Sequence, residues 1–211
     1  MRRKSPRSLK RPRSRSDNRA PGASCREPNA PSEEQETPRS LSRDEGYSMI
    51  SSSMSVKKVT IEHVTIRSSN TFAAVRASLE ALVPRLDDGF LTLLRFGLMD
   101  RARQELESAA TLSIFGSRDH GALLAIAGLG RQAIQYDIGN PLTASLMTRH
   151  KVSAGLYAPV RVLLRESPES EVAFEYDRPA STFGQFGDER VDVVARKLDE
   201  NLESVLHKAA S

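Results

Sequence analysis

The sequence predicts an α+β fold: a two-layer sandwich in which a mixed sheet of about five strands carries helices mainly on one face. Three observations lead there. Segments with an apolar residue at every second position are interspersed with segments at three- and four-residue spacing. Two of the alternating segments, "LYAPVRVLLRE" and "EVAFEYD", are separated only by "SPES" and read as a hairpin, which excludes an all-parallel sheet. The elements also fill residues 56–211 with one loop unaccounted for, "RPASTFGQFG".

The first element is "VKKVTIEHVTI", Val56 to Ile66, rich in β-branched residues and read as a strand with a kink near His63. Phe72, Val75, Leu79, Leu82 and Leu86 follow at helical spacing after two suitable capping residues, Ser69 and Asn70, and "DDG" ends that helix. Phe90 to Ala109 is again helical, divided at Gly97. "TLSIFGS" is a second strand, and "DHGALLAIAG" a short buried helix capped by Asp119. Ile134, Tyr136 and Ile138 alternate in a third strand, which runs into Gly139-Asn140-Pro141 and a helix ending at His150. Strands four and five form the hairpin, with Val160, Val162 and Leu164 on one arm and Val172, Phe174 and Tyr176 on the other. Val191, Val194, Leu198, Leu202, Val205 and Ala209 make the last helix, starting at Asp188. Phe183 and Phe186, between glycines in the remaining loop, are expected to plug the core beneath it.

The net charge of +4 is unevenly distributed. Met1 to Arg26 carries ten Lys and Arg against Asp17 alone, a net of +9, so the rest sums to 4 − 9 = −5. The segment 1–55, basic and rich in Ser and Pro, is expected to be a disordered tail, and 56–211 a single domain. The acidic balance of that domain argues against nucleic-acid binding, leaving the tail as the one nucleic-acid tether. No run approaches the roughly 18 apolar residues that a membrane span requires, so no membrane partner is expected. Cys25 has no second cysteine to pair with, which favours an intracellular address, cytoplasmic or nuclear rather than mitochondrial. Met49 and Met54 both precede the first expected element and leave a shorter product conceivable beside one starting at Met1.

Two motifs carry the functional question. In the first, Gly139 is expected to supply a backbone angle other residues resist, Asn140 a helix cap, and Pro141 the first helical position. The same helix N-terminus, approached by glycine, is also a candidate anion site. In the second, Asp119 caps a helix, and His120 in its first turn sits in a positive field that favours the neutral imidazole, either a base or a satisfied buried polar group. If strands two and three are parallel neighbours, Asp119, His120, Gly139, Asn140 and Pro141 meet at one end of the sheet, where clefts form. Metal binding needs three or four convergent ligands, which Asp119, His120 and His150 do not supply; no metal and no cofactor is expected.

"DHGALLAIAGL", "YDIGNPLTASLM", "LYAPVRVLLRE" and "FEYDRP", in this order and spacing, resemble domain-of-unknown-function family 302, closest to its variants with "IGNPL", "RHKVSAGLYAPVRVL" and "EYDRPASTFGQFGD". The resemblance spans about Val56 to Ala209, with the segment between Leu91 and Ala109 and the basic tail as departures. It implies a two-layer α+β fold and the Asp-His and Gly-Asn-Pro segments as shared features. It implies no activity.

Two functions remain in view. The domain binds a small anionic or carbonyl ligand, or a protein partner (a second copy included), at the Asp-His and Gly-Asn-Pro end of the sheet. Alternatively it is a hydrolase- or isomerase-like enzyme, with His120 as general base and the Gly139-Asn140 amides as oxyanion donors.

Overall fold

Alternating apolar positions set the strands, and helical spacing sets what covers them. The computed structural model describes residues 52–211, and the compact unit starts at Met54. The expectations for the basic segment and Cys25 lie outside the described residues.

The chain runs through β1 (His63–Ser68), α1 (Phe72–Leu82), α2 (Gly89–Arg95), α3 (Met99–Ser108), β2 (Ser113–Asp119) and α4 (His120–Ile126). It continues through β3 (Ala133–Gly139), α5 (Pro141–Thr148), a 3-10 turn at Val152–Tyr157, and the hairpin β4 (Val160–Glu166) and β5 (Val172–Asp177). Then α6 (Pro179–Phe183), a second 3-10 turn and α7 (Glu189–Ala210) complete it. The five strands form one sheet in the order β1-β5-β4-β3-β2. The class is α+β, as expected.

The expected parallel component shrinks to a single bridge between Arg85 and Ile114, and every pairing of named strands is antiparallel. Antiparallel sheets tolerate one face in water, and this one does so. Ile66, Phe174, Tyr176, Val162, Leu164, Tyr136 and Ile138 point to one side and are buried. Above them lie Phe72, Val75 and Leu79 of α1, Met147 of α5, and Val191, Ala195, Leu198, Leu202 and Leu206 of α7. The other side bears Arg67, Arg165, Glu175, Gln135, Asp137 and Arg118.

One buried hydroxyl ties the two layers together. Tyr136 of β3 has no exposed surface, and its Oη donates to Glu80 Oε1 of α1 at 3.0 Å. Arg76, one turn away, donates to the same oxygen at 3.1 Å. Burial, and then the Glu80 carboxylate, hold the Tyr136 phenol protonated well above its usual range.

Three local expectations need correction. Val56 to Glu62 is not strand, because β5 ends at Asp177, opposite His63, and beyond it only the Arg178 amide reaches back, to the Glu62 carbonyl at 2.8 Å. Helix α4 is not buried: it lies at the end of edge strand β2, and Leu123 and Ile126 face solvent. The unassigned loop forms α6 and a 3-10 turn, and Phe183 is fully buried there, edge-on to Tyr157 at 6.3 Å.

Helix α6 is held from a distance. The Ala180 amide donates to Asp199 Oδ2 of α7 at 3.1 Å, while Asp199 Oδ1 has no partner among the described residues. Burial raises the Asp199 carboxyl above its usual range and outweighs the Ala180 bond and the Arg178 charge, which pull it down. The folded state therefore holds this proton more tightly than the unfolded chain. Its stabilising contribution is full below the ordinary Asp pKa of about 3.9 and fades as pH rises through the folded value. Asn at this position keeps an acceptor for Ala180 and cannot ionise. The stability of Asp199→Asn relative to the natural chain, from urea midpoints, should therefore improve as pH rises from about 4 to 7; a constant difference would contradict this. In the core, Leu202→Ala should cost about 2–5 kcal/mol in the same assay.

Candidate functional site

The Gly-Asn-Pro turn forms as a helix start, and its chemistry is consumed in doing so. Asn140 Oδ1 accepts from the amides of Leu142 at 2.8 Å and Thr143 at 3.1 Å. Pro141 has no amide hydrogen, and the Ala144 amide bonds the Asn140 carbonyl at 3.0 Å. Every donor of the first turn is thus absent or occupied, and an anion would have to displace the cap. Gly139 does not adopt a left-handed angle. A Cβ there would lie 3.4 Å from Pro159 Cβ and 3.5 Å from Phe115 Cε2, ordinary contact distances, so neither backbone angle nor space demands glycine. The adjoining cavity, about 60 Å³, is bounded by Phe115, Met147, Pro159 and Leu198 and is too apolar to seat a charged ligand.

Asp119 caps α4 by accepting from the Ala122 amide at 2.9 Å. His120 Nε2 lies 3.4 Å from Gln135 Oε1, half-buried beside β3. The Gln135 amide reaches on to Asp137 Oδ1 at 3.5 Å.

These two motifs do not converge. Pairing of β2 with β3 sets Ser113 opposite Gly139 and Asp119 opposite Ile134. Asp119 and Gly139 therefore stand at opposite ends of the ladder, five residues or about 17 Å apart along the strand. The parallel crossover fails because the chain turns back at once. Gly128, at φ 75°, closes α4 with Gly128 N–H to Ala125 O and Leu129 N–H to Leu124 O, both 3.0 Å. At the start of the same helix, a Cβ on Gly121 would lie 2.8 Å from the Arg131 carbonyl oxygen, so only glycine fits against the returning strand. His150 closes α5 through its backbone, donating to Met147 O at 3.1 Å. Among the described residues no group of three His, Cys, Asp or Glu is placed to hold a metal ion.

A roomier concavity lies elsewhere, where the open face of the sheet meets the 3-10 turn before β4 and the start of α6. It encloses about 540 Å³. Leu156, Tyr157, Pro159 and Phe183 form its apolar side, and Arg118, Asp137, Arg161 and Asp177 its polar side. Arg118 Nη1 bonds Asp137 Oδ2 at 2.8 Å, and His63 Nδ1 meets Asp177 Oδ1 at 3.1 Å. Arg161 lies directly across the ladder from Asp137 and forms no ion pair among the described residues. Sequence reasoning passed over these four charged residues because each occupies an outward position of a strand, the pattern of any solvated sheet face. No local pattern signals them, because Arg118, Asp137, Arg161 and Asp177 become neighbours only through the pairing of four strands.

Two substitutions test this geometry. Gly121→Ala should cost about 1–3 kcal/mol in urea unfolding, because backbone must shift to admit the methyl. Asn140→Ala should cost about 0.5–2 kcal/mol through the lost cap, with Asn140→Asp retaining most of it.

Known proteins share this architecture. The profile of the family "Domain of unknown function DUF302" matches residues 97–209, starting later than the expected Val56. A solved structure described as uncharacterized conserved protein DUF302 from Bacillus stearothermophilus superposes with TM-score 0.52 at 14% identity, over 70% of this chain and 97% of that one. At that identity the likeness is one of fold. No curated protein matches the sequence. With more than half of its length matched by the family profile, and the same fold in a structure of that description, the chain belongs to the DUF302 family.

Proposed function

We propose that the domain is a binding module without chemistry of its own, and that its ligand seat is the groove between the open sheet face and the turn at Leu156–Pro159. The observation that carries this is the groove itself. Its volume of about 540 Å³ suits a small molecule, and it joins an apolar side to a few charged groups, the composition of ligand sites in general. The enzyme reading loses its support, since His120 and the Gly139-Asn140 amides sit at opposite ends of β3 and the Leu142 and Thr143 amides are taken by the cap. His120 keeps a supporting place in the proposal: through Gln135 it props Asp137, which faces the groove. No helix among the described residues is long and apolar enough to cross a membrane. An intracellular address remains part of the proposal on the strength of the single cysteine.

The test is a fragment set of mixed charge screened by two-dimensional amide NMR. Binding fragments should shift the resonances of Leu156 to Arg161 and Asp177 to Phe183. Fragments that consistently shift Ala122–Leu124 or Leu142–Ala144 instead would return the site to the helix starts and overturn the proposal.

A further inference from the structure

The polar side of the groove has more spare donors than spare acceptors. Asp137 Oδ2 accepts from Arg118 at 2.8 Å and Oδ1 from Gln135 at 3.5 Å. Asp177 Oδ1 is engaged by His63 at 3.1 Å. On the donor side, Arg118 uses only Nη1, and Arg161 uses none of its N–H groups among the described residues. The other cations of this sheet face are satisfied: Arg67 by Glu171 at 2.9 Å, and Arg165 by Glu175 at 2.7 Å. Each guanidinium offers several N–H groups in a fixed fork that matches a carboxylate or phosphate. A ligand that engages these guanidinium groups brings acceptors and negative charge. A ligand bringing an ammonium group would find Asp137 paired with Arg118, Asp177 left with Oδ2 alone, and two guanidinium groups repelling it.

The rest of the groove sets the remainder of the ligand. Leu156 is 80% exposed and Ile61 40% exposed although both line the concavity, so an apolar body laid between them would cover surface now in water. Tyr157 and Phe183, edge-to-face at 6.3 Å, make a rigid back wall.

Resting on the groove as ligand seat, we propose that the ligand is an organic anion: a carboxylate or phosphate group held by Arg161 and Arg118, carried on an apolar body that lies along Ile61, Leu156 and Pro159. Arg161 supplies the principal contact because its whole fork is free. Arg118 adds a second contact while keeping its bond to Asp137.

Four probes of equal chain length decide this: octanoate, octyl phosphate, 1-octanol and octylamine, titrated into the full chain and followed by amide NMR. Octanoate or octyl phosphate should bind at Leu156 to Arg161, the tighter of the two identifying the head group, and octylamine should not. Arg161→Gln should weaken the anion about 10-fold or more, and Arg161→Lys by less, since it retains charge without the fork. Arg131→Gln, an exposed arginine at the far end of β3, should change nothing. Equal binding of octanol or octylamine in the groove, or an unchanged affinity in Arg161→Gln, would overturn the anion assignment while leaving the groove as a seat. Shifts confined to other surfaces for all four probes would overturn the seat as well.

Discussion

The arrangement depends on one close approach, that of Gly121 to the backbone entering β3. With no side chain in the way, the first turn of α4 lies against the Arg131 carbonyl, and the chain leaves the helix already directed back along β2. The left-handed turn at Gly128 completes the reversal, because glycine adopts that angle without steric penalty. The connection from Asp119 to Ala133 is thus spent on a reversal rather than a crossover, and β3 returns antiparallel beside β2. The antiparallel alternative decides which residues can meet, and so which chemistry is open to the molecule.

From that pairing follows the division of the sheet. All five strands alternate between a face sealed by α1, α5 and α7 and a face laced with ion pairs. Surface ion pairs of this kind contribute little to stability, commonly less than about 1 kcal/mol each. Their consequence is positional: they pair Asp137, Glu171 and Glu175 with Arg118, Arg67 and Arg165 and leave Arg161 beside a groove with an apolar wall. On the sealed face the Tyr136 hydroxyl is paired with Glu80.

How much of this could be read from the sequence divides along physical lines. The strands around Val162, Phe174 and Tyr136 and the helix from Glu189 were legible because burial imposes a strict period on their side chains. The caps at Asp119, Asn140 and Asp188 were legible because each acts within its own turn. Where β1 begins was not, since Val56 to Glu62 has strand composition and lacks only a neighbour, which is a property of β5. The same holds for α4: Leu123 and Ile126 look like core until the helix is placed at the sheet edge. The direction of β3 relative to β2 turned on a backbone contact at Gly121 between residues ten apart, which no local pattern encodes. The groove was illegible for the complementary reason. Arg118, Asp137, Arg161 and Asp177 come from four strands, and only the assembled register makes them neighbours.

The direction of that pairing is open to one direct measurement, the cross-strand nuclear Overhauser contacts between β2 and β3 in the folded protein. The antiparallel register requires contacts joining Ser113 to Gly139 and Asp119 to Ile134. Contacts joining Asp119 to Gly139 instead would mean parallel strands. They would bring the two motifs to one end of the sheet and contradict the antiparallel arrangement on which the groove and its free arginine depend.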